Sequence, residues 1–440
     1  MKVSRNNVSD PGTSPKASVV STRCRRHLVL FLVVALVAWI GAASAVWGLC
    51  AWELLYTFEG QATEDCLGQS VSGAGDVNND GYADVIVGAP NNNTGGSDAG
   101  EAYVYSGQTG GLLWTFTGEA AGDLLGYTVS GAGDVNNDGY DDLIVGAWQN
   151  DGGGEGAGRA YVYSGQTGGL LWTFDGEAGG DWLGISVSGA GDVNNDGHDD
   201  LIVGASGNDA GGSDAGRAYV YSGQTGALLW TFTGQAGGDE FGTSVSGAGD
   251  VNSDGHADLF VGAYLNDAGG MWAGRAYVYS GQTGGLIWTF TGEAVLDIFG
   301  TSVSGAGDVD DDGYDDLIVG APGNDTGASN AGRAYVYSGQ TGGLLWTFDG
   351  EAESDQLGWS VSGAGDVNDD GYADLIVGAW QNDVGGEGAG RAYVYSGQSG
   401  VQLCTFTGEA TGDYLGNSVS GAGDVNEDGY ADLIVGGVQK

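Results

Sequence analysis

The sequence predicts an all-β fold, a seven-bladed β-propeller of four-stranded blades closed by strands from both ends of the chain. Three observations predict it. The segment Ser/Thr-Val-Ser-Gly-Ala-Gly-Asp-Val recurs with its aspartate at Asp76, Asp134, Asp192, Asp250, Asp308, Asp366 and Asp424, every interval being 58 residues without insertion or deletion. Within a unit the apolar residues alternate with the period of two that strands require, and no stretch carries the three-and-four spacing of a helix. Each unit holds four such runs separated by Gly/Asn/Asp turns, and a closed ring of them removes the long edges an open sheet would expose.

The second unit shows the elements in order: Leu-Leu-Trp-Thr-Phe at 112–116, Tyr-Thr-Val-Ser at 127–130, Asp-Leu-Ile-Val-Gly at 142–146 and Arg-Ala-Tyr-Val-Tyr at 159–163. The Ser-Gly-Ala-Gly run has small side chains throughout, which suits the innermost strand, where blades converge. The Trp/Tyr/Phe runs belong to the wider outer part, between blades. The Ala-Tyr-Val-Tyr-Ser-Gly strand occurs six times and the other types seven, so one blade is completed from the N-terminal side. Residues 54–58 supply its outer strand. Stepping back 58 residues from 102–107 lands on 44–49, where Val46 and Trp47 match Val104 and Tyr105, and the missing strand is expected there.

Composition narrows the function classes. The chain has 58 acidic and 12 basic residues and a net charge of -46, so it lacks the basic footprint a nucleic-acid partner needs. Ninety glycines would suit disorder, but 13 Trp, 21 Tyr and 41% hydrophobic residues supply a core. Four cysteines share no metal-ligand spacing. Arg23, Arg25, Arg26 and His27 precede an uncharged stretch at 28–52, and Ala43-Ser44-Ala45 has the form of a signal-peptidase site. Residues 1–45 are therefore expected to be a signal peptide or, uncleaved, a membrane anchor, with the propeller at 46–440 outside the cell, secreted or on the surface.

The strongest chemistry follows each inner strand, as Asp-x-Asn/Asp-x-Asp-Gly-x-x-Asp. Alternating oxygen ligands with glycine at position six is the hard-cation logic of an EF-hand loop, shortened here so that position nine supplies the closing carboxylate. The expected ligands are Asp76, Asn78, Asp80, the Tyr82 carbonyl and Asp84 in the first loop; Asp134, Asn136, Asp138, Tyr140 and Asp142 in the second; Asp192, Asn194, Asp196, His198 and Asp200 in the third. Asp250, Asn252, Asp254, His256 and Asp258 form the fourth, Asp308, Asp310, Asp312, Tyr314 and Asp316 the fifth, and Asp366, Asn368, Asp370, Tyr372 and Asp374 the sixth. Asp424, Asn426, Asp428, Tyr430 and Asp432 form the seventh, for up to seven Ca²⁺ in all. The alternative is an Asx-rich turn without metal. Recurring carboxylates at positions one, five and nine argue against it, since a turn has no use for so many like charges.

Phe241-Gly242, Phe299-Gly300, the aspartate loop, Gly88-Ala89-Pro90 and Gly320-Ala321-Pro322 together resemble the FG-GAP repeat of the integrin α-subunit propeller, over the whole span from Leu54. The resemblance implies a seven-bladed propeller with calcium between the first and second strands of several blades, on the face opposite the ligand. Phe-Gly and Gly-Ala-Pro each occur in only two repeats, and the near-identical units look more like a prokaryotic surface protein than an animal receptor. Fold transfers better than function.

The loops after the second and fourth strands vary from copy to copy and share one face, which displays Trp148, Trp182, Tyr264, Trp272 and Trp380 as candidate ligand contacts. Their alternative role is packing between blades. Asp65 and its counterparts at each 58 residues read as turn-stabilising, and Arg159, Arg217, Arg275, Arg333 and Arg391 as partners of nearby carboxylates. No catalytic set can be assembled from His27, His198 and His256, and the paired carboxylates repeat sevenfold as a scaffold would, so no enzyme is expected. The favoured function is an adhesion or ligand-binding module for an extracellular protein or glycan, with possible attachment to a membrane through the N-terminal apolar segment. The alternative is a passive display unit of a larger protein with no ligand of its own.

Overall fold

The computed structural model describes residues 16–23, 51–62 and 64–438. Its strands form seven four-stranded antiparallel sheets, the blades of a propeller. Strands β1 (Lys16–Arg23) and β2 (Ala51–Glu59) belong to the last blade. Blade one is β3 (Val71–Gly75), β4 (Asp84–Ala89), β5 (Glu101–Tyr105) and β6 (Leu112–Thr117), paired in that order from the centre outward, and blades two to six repeat it.

The predicted gradient of side-chain size is present. A Cβ placed on Gly73 would lie 2.9 Å from the Gly421 carbonyl oxygen, one on Gly131 2.8 Å from that of Gly73, and one on Gly189 2.9 Å from that of Gly131. Inner strands of neighbouring blades therefore meet backbone to backbone, closer than any other residue type allows. The next strand, Asp-Val-Ile-Val-Gly-Ala in blade one, is buried at all six positions, as are its counterparts, because both its faces pack on adjacent blades. Farther out the gap widens and aromatic rings fill it: Tyr221 stacks on Phe174 of the preceding blade at 3.8 Å, and the Trp172 indole N–H donates to the Gly223 carbonyl of the following blade at 3.0 Å. Each gap thus has its own apolar cluster, such as Val135, Ile144, Phe174, Val187, Leu201 and Tyr219 between blades two and three.

The last blade joins both ends of the chain, in the order β2, β1, Asp432–Gly437 and Ser418–Gly423. The strand expected at 44–49 is corrected: those residues lie outside the described part of the chain, and Lys16–Arg23 takes the place, with Lys16 opposite Gly437 and Val20 opposite Leu433. The offset of 58 fails there because the repeat spacing does not extend N-terminal to β2. In the structure, part of the segment read as a leader is thus a strand of the propeller, so the propeller does not begin at residue 46. The other components of the leader, the basic cluster from Arg25 and the cleavage motif, lie outside the described residues. Among the described residues no helix is long and apolar enough to cross a membrane.

The ring itself closes without β1. The Val71 amide of blade one donates to the Ser418 hydroxyl of blade seven at 3.0 Å, and the Ala83 amide to the Asp424 carbonyl at 3.2 Å. Gly131→Ala, which drives a methyl into the backbone of the neighbouring inner strand, is expected to cost about 1–3 kcal/mol. Chemical denaturation measures it, and an unchanged midpoint would mean that the blades do not meet as described.

Candidate functional site

Each aspartate loop leaves the inner strand on one face of the ring and re-enters the sheet at the next strand. In the first loop the Asp76 carboxylate accepts the Asp80 amide at 3.0 Å and the Gly81 amide at 2.8 Å, and Asp80 accepts the Tyr82 amide at 3.1 Å. Gly81 has φ of +91°, the left-handed turn for which position six requires glycine. Position four is also left-handed in all seven loops, with φ from +54° to +59°, although it is Asn, Ser, Asp or Glu, a feature the sequence did not disclose.

Position nine has a role that sequence reasoning missed. Asp84 is fully buried; its carboxylate accepts the Gly107 amide from the turn after β5 at 2.9 Å and the Val77 amide at 3.1 Å, and the Asn78 amide group also donates to it. It is a strut tying the loop, two strands and the next turn together. Asp142, Asp200, Asp258, Asp316 and Asp374 repeat the two backbone bonds. Burial, opposed by those bonds and reinforced by the charges of Asp80 and Asp76, pushes Asp84 up to about 7, and the other five are likewise raised to about 7.

The fifth loop fits a hard cation. In the fifth loop Asp308, Asp310 and Asp316 bring three carboxylate oxygens within 4.8 Å of one another. The other loops carry Asn at the position of Asp310, and its side-chain amide donates to the position-nine carboxylate, as Asn78 does to Asp84 at 3.1 Å. His198 and His256, which stand at position seven, direct Nδ1 to the Val135 and Val193 carbonyls of the preceding loop at 3.0 Å, so their rings link neighbouring loops and leave the main-chain carbonyl as the position-seven oxygen.

The opposite face carries the variation. At the mouth of the central channel lies a cavity of about 350 Å³ lined by Gln69, Tyr127, Ile185, Thr243, Thr301, Trp359 and Asn417, one residue from each blade. Behind them sits a ring of hydroxyls, of which Ser70 accepts the Val129 amide and Ser186 the Val245 amide from adjacent blades. The sequence reading passed over this ring; its signal is a column with six residue types in seven copies, between columns that hardly change.

The candidate aromatics are distributed unevenly around it. Trp148 makes edge contacts with Tyr127 at 5.6 Å and Trp182 at 5.8 Å, all three half-buried. Trp380 packs on Trp359 and Tyr414, both at 5.2 Å, and its indole N–H donates to Gln356 at 2.8 Å. Tyr264 lines the channel mouth, whereas Trp272 stands apart, 46% exposed beside Met271. The structure therefore joins Trp148 with Trp182, and brings in Tyr127 and Trp359, which the sequence reading had not singled out.

The recurring charges are structural. Asp65 is buried and accepts the Ala62 amide at 2.8 Å, closing a turn. Arg159, Arg217, Arg333 and Arg391 pair with Glu119, Glu177, Glu293 and Glu351 of the preceding blade. Gln235 stands at the equivalent place before Arg275, which keeps the bond to Thr291 at 3.1 Å that Arg217 and Arg391 also make to Thr233 and Thr407. Glu101 replaces the arginine in blade one, where Gln61 takes the place of the glutamate.

A scan of family models matches the FG-GAP repeat to residues 67–105, 125–163, 183–221, 241–279, 299–337 and 357–395, together more than half of the chain. The chain belongs to the FG-GAP repeat family. The geometry gives the two motifs one purpose: a Cβ on Gly204, the first residue of a Gly-Ala pair, would fall 1.9 Å from the carbonyl oxygen of Gly242, the second residue of the Phe-Gly pair in the next blade. Among curated proteins, this FG-GAP chain is 33% identical over 236 residues to integrin alpha-5 of Xenopus laevis, covering 50% of this chain and 22% of that protein. It is 32% identical over 219 residues to integrin alpha-V of Gallus gallus, covering 46% and 20%, and 30% identical over 253 residues to integrin alpha-8 of Gallus gallus, covering 54% and 22%. The FG-GAP region thus spans about a fifth of the length of these relatives.

The raised aspartates set a pH dependence. In the folded metal-free protein they keep their protons up to about pH 7, whereas the unfolded chain releases them near 4. Their contribution to stability is therefore fully present below about pH 4 and is lost as pH rises through about 7. In chelator the melting temperature is expected to be higher at pH 5.5 than at pH 8; equal values would show that these carboxylates are not raised.

Proposed function

We propose that this FG-GAP propeller is an exported, calcium-stabilised recognition module that binds an extracellular protein or glycan at the channel mouth on its variable face, and that it is not an enzyme. The observation that carries the reading is the ring of Gln69, Tyr127, Ile185, Thr243, Thr301, Trp359 and Asn417: six residue types at seven equivalent positions around one cavity, in repeats otherwise almost copies of each other. A scaffold alone would keep that column as uniform as the hydroxyl ring behind it. Flanking tyrosines and tryptophans offer flat, half-exposed rings that stack on sugars or anchor a protein ligand. The integrin alpha relatives agree with an adhesive role outside the cell.

Calcium fits the oxygen-only loops. The loop residues of each blade, from Asp76 to Asp84 in the first, would hold it, and its chemistry there is charge neutralisation among crowded carboxylates. Saturating calcium is expected to raise the melting temperature and chelator to lower it; a melting temperature indifferent to both would exclude the metal. Export places demands on β1, because cleavage after Ala45 removes it. The closing bonds from Val71 to Ser418 and from Ala83 to Asp424 survive that loss. Mass spectrometry of the mature protein decides it: an N-terminus at Val46 supports a removed leader, and one at Met1 rejects removal.

The recognition reading is tested on a glycan and matrix-protein array with the full chain. Calcium-dependent binding that falls at least tenfold in Tyr127→Ala and Trp359→Ala, with Trp272→Ala unaffected, is the expected result. A blank array from a cooperatively melting protein would favour the display role.

A further inference from the structure

The gap between blades six and seven differs from its sister gaps in three side chains at once. Elsewhere the third strand reads Arg-Ala-Tyr-Val-Tyr, or Glu-Ala-Tyr-Val-Tyr in blade one. In blade seven, β1 presents Lys16, Ala17, Ser18, Val19 and Val20 in the same register: Ser18 lies opposite Val435 as Tyr219 lies opposite Val203, and Val20 opposite Leu433 as Tyr221 opposite Leu201. Both tyrosines are thereby replaced by small residues. Across the gap, Cys404 occupies the place of Trp346, whose indole donates to the Gly397 carbonyl of the following blade.

The loss is visible in the packing. Phe174 is 7% exposed beneath the ring of Tyr221, whereas its counterpart Phe406 is half-buried and takes an edge contact from Trp52 at 5.4 Å. Among the described residues what remains is a cavity of about 460 Å³, walled by Ser18, Val20, Trp52, Leu54, Cys404 and Phe406. Lys16 and Glu409, counterparts of the ion-paired Arg391 and Glu351, also line it. An apolar cavity of about 150 Å³ already admits benzene, so this one has room for a substituted ring. Largely apolar walls with a few polar groups are the usual character of a small-molecule site.

We propose that this gap binds a small phenol, the chemistry of the tyrosine side chains that fill the sister gaps. The ring packs against Phe406 and Trp52, and the hydroxyl finds its partners among the polar groups of the lining. This site lies between outer strands, away from the channel mouth, and does not depend on the recognition role proposed there; it exists in the chain that keeps β1, and removal of a leader at Ala45 would remove it.

The test is calorimetric titration of the full 440-residue chain with p-cresol, the side chain of tyrosine as a free molecule. Saturable binding at one site per chain is expected, in roughly the submillimolar range. The double variant Ser18→Tyr and Val20→Tyr restores the sister-gap residues and is expected to weaken p-cresol at least tenfold without lowering the melting temperature. Cys404→Trp fills the gap from the other blade and gives the same readout if the double variant does not fold. The proposal is overturned if the full chain gives no saturable binding, if filled variants bind as tightly as the parent, or if toluene binds as well as p-cresol.

Discussion

The closeness of the inner strands governs the rest of the molecule. Backbone meets backbone around the channel because Gly73, Gly131, Gly189 and their counterparts present no side chain to the neighbouring blade. With that spacing fixed at the centre, blades diverge outward and the gap at each radius has a set width. Small and branched aliphatic side chains fill it over the inner strands, and stacked Phe–Tyr pairs with a docked tryptophan fill it at the periphery. An uninterrupted period of 58 residues is the sequence-level expression of this geometry, since each repeat must span the same radius and turn by the same angle.

The aspartate loops show one residue type put to two uses. Positions one and five fold the loop on itself by accepting backbone amides, and position nine goes inward to hold the loop to the blade. The arrangement satisfies buried amides at the cost of concentrating negative charge, a conflict that protons or a divalent cation resolve. The same residues are therefore at once turn-formers and candidate ligands, and the two readings of the sequence are not exclusive.

The repeat made most of this legible before any coordinates. Blade number, strand count, the place of the glycine strand, the turn role of Asp65 and the ion pairs of the arginines follow from periodicity and residue type. What escaped has physical reasons. Lys16–Arg23 was overlooked because its Ser18 and Val20 lack the tyrosines that identify the strand, and because a fixed offset cannot find a segment outside the array. The strut function of Asp84 was hidden because spacing alone does not separate an oxygen that binds a cation from one that accepts an amide. The aromatics of the variable face were visible individually, but their grouping around Tyr127 and Trp359 depends on which blades stand side by side.

Near-identity of the blades carries a hazard of its own. Neighbouring domains of like sequence pair wrongly during folding more readily than unlike ones, because a strand from one copy satisfies the bonds of another. Here the exceptions to the repeat act as labels of position. Gln61 faces the one blade with Glu101 in place of arginine, Gln235 faces Arg275, and the shortened side chain of Cys404 faces the one third strand without tyrosines. A ring assembled out of order would set a tryptophan against β1 or a glutamate against Glu101. The irregularities thus give an otherwise degenerate circle a first and a last blade.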